Sequence, residues 1–86
     1  MDFQDLLVRY FGHADIVSMK QETLDSGLER VRVDFGLETD SGRRFGLWAL
    51  MYMLGAAPDL DVAFKDPAEQ DAARNFMDLA ARLDDD

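Results

Sequence analysis

Hydrophobic positions at the start of the chain recur at helical spacing: Phe3, Leu6, Leu7, Tyr10 and Phe11 fall on one face, Asp2 and Asp5 sit at the N-terminal end, and Gly12 stands where a helix would stop. The pattern predicts a short helix over 2–12. Ser18 and Gln21 have capping-box spacing, and Leu24, Leu28, Val31 and Phe35 then form an apolar stripe opposite Glu22, Asp25 and Glu29. A second helix is expected over 19–38. Inside it Val31, Val33, Phe35 and Leu37 also alternate with less apolar residues, which is the strand period. A strand needs a pairing partner, and only 60–64 has the residues to supply one. The alternative fold is therefore α+β, with two short strands near 31–37 and 60–64.

Glu38-Thr39-Asp40-Ser41-Gly42 reads as a turn, after which a third helix is expected over 43–55, closed by Gly55 with Pro58 beyond it. Phe45, Leu47, Trp48, Leu50, Met51, Tyr52, Met53 and Leu54 leave this helix no polar face, so it calls for burial on several sides. So short a chain offers few other elements to cover them. A fourth helix over 66–83 opens on Asp66-Pro67-Ala68-Glu69, an acid at the cap, proline at the first helical position and a glutamate in the first turn. Ala72, Phe76, Leu79 and Leu83 are expected as its inner stripe, with Asp78 and Arg82 paired on the outside.

The expected fold is all-α: a small orthogonal bundle of four helices in a single domain, 1–83. Residues 56–65 are read as an extended connection anchored by Leu60, Val62 and Phe64, and 84–86 as a frayed acidic tail.

The 86 residues include no cysteine, which removes disulfides, thiolate metal sites and thiol catalysis and fits a reducing, cytoplasmic setting. No cationic region precedes an apolar run near Met1, so no secretory signal is read. The uncharged stretch 45–57 is shorter than the ~20 residues of a membrane span. Net charge is −9, and residues 59–86 hold nine acids against three bases. Such a surface repels nucleic-acid backbones and points to a protein partner, a basic one above all.

Motifs with chemical meaning are few. Asp34-Phe35-Gly36 spells a magnesium-binding tripeptide of protein kinases, but the rest of that machinery has no room in this chain, and Phe35 reads as core. Asp59, Asp61 and Asp66 begin like a calcium loop. Counted from Asp59, Phe64 stands where glycine is required and Gln70 where the bidentate glutamate belongs, so the aspartates read as turn and cap residues. His13 is the single histidine; it has no triad spacing to Ser18, Ser26 or Ser41 and reads as a helix C-terminal residue. The carboxylate pairs Asp34/Glu38 and Asp25/Glu29 read as solvated helix face. No catalytic residue, cofactor or metal ligand is assigned.

Two constellations remain. Arg43 and Arg44 lie near the start of the third helix, where the helix dipole disfavours cations. Their partners are either Glu38, Asp40 and the acidic C-terminal helix, or an external anion or acidic peptide. Trp48, Met51 and Tyr52 on the third helix are the candidate interface of a homodimer. The functional expectation is a non-enzymatic protein–protein interaction module with a homodimeric third helix. The alternatives are a nucleic-acid mimic that regulates a nucleic-acid-binding protein and, last, a small-molecule-binding protein or enzyme.

Overall fold

A helix stop encoded by a single glycine sets the first corner of the chain. In a computed structural model, which describes residues 3–13, 15 and 18–84, α1 (Phe3–Phe11) buries Leu6, Leu7, Tyr10 and Phe11. Gly12 then takes φ 75° and donates its N–H to the Val8 carbonyl at 2.9 Å. Positive φ is where glycine has no Cβ penalty, so the helix ends there. Asp2, assigned to this helix from its sequence, lies outside the described residues.

α2 (Gln21–Leu37) buries Gly27, Leu28, Val31 and Phe35, while Val33 and Leu37 face water. The helical stripe prevails over the alternating pattern, and no strand occurs among the described residues. The capping box does not form. Lys20 occupies the N-cap position without a side-chain bond, and the Ser18 hydroxyl donates instead to Asp15 at 2.8 Å.

α3 (Ser41–Met53) starts two residues before the expected position because the Asp40 carboxylate accepts the Arg43 N–H at 2.9 Å. At its end Gly55, also at φ 75°, donates to Tyr52 at 3.0 Å while the Ala56 N–H reaches the Met51 carbonyl at 2.8 Å, a Schellman closure. Leu47, Trp48, Leu50 and Met51 are buried. α1, α2 and α5 all pack against this helix, so the chain covers its many apolar faces with its own elements.

The connection after α3 is not extended throughout. Val62 and Ala63 N–H groups both fold back on the Asp59 carbonyl, making a single-turn helix, α4 (Leu60–Ala63), so the described residues form five helices rather than the four expected. Phe64 and Ala63 are buried and Leu60 is half-buried, but Val62 is 73% exposed and anchors nothing.

α5 (Pro67–Asp84) begins as its sequence predicts: the Asp66 carboxylate accepts the Ala68 N–H at 3.0 Å. Its orientation differs from expectation. Ala73 is fully buried and Phe76, Met77 and Ala80 half-buried, whereas Ala72, Leu79 and Leu83 lie outside. Among the described residues the ion pair on this helix is Arg74–Asp71 at 3.2 Å, not Asp78–Arg82. Asp84 is the last helical residue, and Asp85 and Asp86 fall outside the described residues.

The helices close on an aromatic centre. Trp48 stacks on Tyr52 at 5.4 Å and meets Phe64 and Phe76 edge-on at 5.7 and 5.9 Å. Phe45 adds tilted and edge contacts to the same rings. Offset and edge-to-face rings of this kind contribute about 0.5–1.5 kcal/mol per pair beyond burial.

Candidate interaction surfaces

The homodimer residues nominated on α3 are mostly unavailable. Trp48 and Met51 are each 1% exposed, packed among the chain's own side chains. A second chain reaches them only if the core opens. Tyr52 is half-buried against Trp48 and Phe76.

Arg43 and Arg44 separate because neighbours on a helix point about 100° apart. Arg44 turns inward: its guanidinium lies 4.4 Å from the centre of the Phe35 ring and 5.8 Å from that of Phe64, and Nη2 donates to the Ala63 carbonyl at 2.9 Å. Two rings and a carbonyl hold it, and no carboxylate among the described residues pairs with it. Arg43 turns outward and lines a groove of about 400 Å³ between α1, α2 and α3, with Arg9, Asp34 and Glu38 in the same lining. Two cations and two carboxylates therefore share this lining.

Tyr10 lies at the floor of that groove and donates to Asp34 at 2.6 Å. Burial first, then the hydrogen bond to and negative charge of Asp34, push its phenol up to about 12. The side chain is thereby held protonated as a donor, the opposite of what a nucleophile or general base requires. Arg30 adds a bond from Nη2 to the Tyr10 carbonyl, fastening α2 to the end of α1.

His13 lies exposed beside the end of α1. Asp66 is used as a cap, Asp59 and Asp61 are exposed near α4, and no group of three potential metal ligands is assembled among the described residues.

A different surface emerges where the α5 stripe turns away from the core. Phe76, Leu79, Ala80 and Leu83 line a groove of about 550 Å³ together with Phe3, Met53 and Arg82. Leu79 is 58% and Leu83 82% exposed, and Met53 is 53% exposed. Apolar side chains this large, grouped on one face, are the surface feature that marks contact sites in otherwise polar proteins. Sequence periodicity reveals the stripe but assigns it inward; the contributions of Phe3 and Met53 come from helix ends far apart in sequence and carry no local signal.

No described helix is long and apolar enough to cross a membrane. No protein family, curated protein or solved structure matches the chain.

Proposed function

We propose that the protein is a cytoplasmic, non-enzymatic interaction module that takes an apolar helix of a protein partner into the groove beside the C-terminal half of α5. The observation that carries this reading is the exposure of Leu79 and Leu83 next to Met53 and Phe3. Burying such side chains is worth about 1.5–3 kcal/mol each, a gain the isolated chain forgoes. The net charge of −9 supports a protein rather than a nucleic-acid partner. The surface on α5 takes the place of Trp48 and Met51 as the site of contact.

A benzophenone amino acid placed at Leu83 tests the reading in the cells that make the protein, with Val62, exposed on α4, as the comparison position. Polypeptide adducts formed from position 83 and not from position 62 are expected. Equal or absent adducts at the two positions would reject the module.

A further inference from the structure

We infer that the occupant of the α5 groove is α5 of a second copy of this chain, lying antiparallel across it. This rests on the interaction-module reading and specifies its partner. Ala72, Phe76, Leu79 and Leu83 follow one another at intervals of four, three and four residues, the spacing with which a helix offers a continuous seam to another helix. In the fold this seam runs beside the core contact rather than into it: Phe76 is half-buried against Trp48 and Tyr52, while Ala72, Leu79 and Leu83 face water.

The seam complements itself. A two-fold axis passing between Phe76 and Leu79 sets Phe76 of one copy opposite Leu79 of the other, and Ala72 opposite Leu83, so the smallest side chain receives the most projecting one. Parallel pairing would face Ala72 with Ala72, leaving a gap.

Charge at the edge of the seam is self-complementary as well. At about 100° per residue Arg82, the charged side chain in the groove lining, stands on the same edge of the seam as Asp71 and Asp78. A two-fold axis between antiparallel helices sets like edges together, so Arg82 of one copy comes within about 3 Å of helix rise of the other copy's Asp71.

From position 72 to position 83 the seam runs only about 17 Å. That is short for the ~800 Å² per partner of a standard stable interface, so the dimer is weak, with a dissociation constant on the order of 10 μM to 1 mM.

Sedimentation equilibrium of the full chain across that range tests the inference, comparing the unmodified protein with Leu83→Asp, Arg82→Glu and, away from the seam, Val62→Asp. The average mass is expected to climb from 9.7 kDa toward twice that value with concentration. Leu83→Asp and Arg82→Glu should each weaken association, the former about tenfold or more, with thermal melting of the monomer unchanged; Val62→Asp should associate like the unmodified chain. A strict monomer at 1 mM, or association untouched by both seam variants, overturns the second-copy inference. The benzophenone experiment separates its failure from that of the module: adducts from position 83 at twice the chain mass support self-association, adducts to a different polypeptide overturn it while keeping the module, and no adduct overturns both.

Discussion

The Tyr10 hydroxyl donates to the Asp34 carboxylate at 2.6 Å, a bond that ties α1 to α2 across 24 positions of sequence. Because burial and this bond raise the phenol to about 12, against an ordinary value of 10.0, the protonated side chain stabilises the fold. With the folded-state value above the unfolded one, that contribution is complete below pH 10 and disappears as pH rises through 12. Urea unfolding at stepped pH is expected to show a loss on the order of 2 kcal/mol over that window attributable to Tyr10. Tyr10→Phe should lose about 1 kcal/mol at neutral pH and lack this component of the alkaline fall. Identical alkaline profiles for the two proteins would discard the assignment.

Gly27 lets α1 and α2 approach. A Cβ there would overlap the Phe11 ring and fall 2.9 Å from the Tyr10 carbonyl oxygen, and Phe11 is itself buried with little room to move. Gly36, on the same helix, has nothing within 4 Å of its added Cβ. Opposite signs are therefore expected for the same change. Gly27→Ala meets about 1–3 kcal/mol of overpacking, which outweighs the ~1 kcal/mol that alanine gains in helix propensity. Gly36→Ala keeps only the gain and should stabilise by up to about 1 kcal/mol. Chemical denaturation of both variants decides; a stabilised Gly27→Ala would contradict the close approach.

Arg44 holds α3 against α2 and the end of α4 through Phe35, Phe64 and the Ala63 carbonyl. Arg44→Ala is expected to cost about 1–3 kcal/mol, from the lost ring contacts and the lost charged hydrogen bond. Arg44→Lys keeps the charge but not the flat fork that lies over Phe35 while bonding the carbonyl, so it should recover only part. Arg43→Ala, on the groove side, should stay within about 0.5 kcal/mol of the unmodified protein. Melting curves in which Arg43→Ala is the more damaging change would reverse the roles assigned to the two side chains.

Several features governed by neighbouring residues were legible in the sequence, although the Ser18/Gln21 capping box and the single turn of α4 were not. Gly12 and Gly55 end helices where they were expected to, and Asp66 caps α5 with Pro67 at its first position. Features governed by distance in sequence were not. Periodicity aligns Ala72, Phe76, Leu79 and Leu83 with one another but contains nothing about where the core lies, and the actual contact, centred on Ala73, is set by the aromatic rings of α3. The same limit hid Gly27, whose role exists only through Phe11 on another helix. It also merged Arg43 with Arg44, which adjacent numbering joins and helix geometry parts. Excess apolar surface was legible in α3, yet its destination was largely internal; exposed apolar side chains sit instead on α5 at Leu79 and Leu83 and on α2 at Val33 and Leu37.

The direction of α5 pairing can be read by chemistry because the chain has no native cysteine to compete. A disulfide forms without backbone movement only when the two Cα atoms come within about 4.4–6.8 Å, so it reports which positions face each other. In the antiparallel seam Ala72 of one copy faces Leu83 of the other. Mixing the Ala72→Cys and Leu83→Cys proteins under mild oxidation is therefore expected to give a mixed covalent dimer, with little product from either protein alone. Both positions are exposed in the single chain, so neither substitution disturbs the core that Phe76 helps to close. Parallel pairing predicts the reverse, since it brings position 83 beside position 83. Self-linked Leu83→Cys as the dominant product, measured by non-reducing electrophoresis at equal total protein, would retain a dimer on this seam but reject its antiparallel arrangement, and with it the pairing of Ala72 against Leu83.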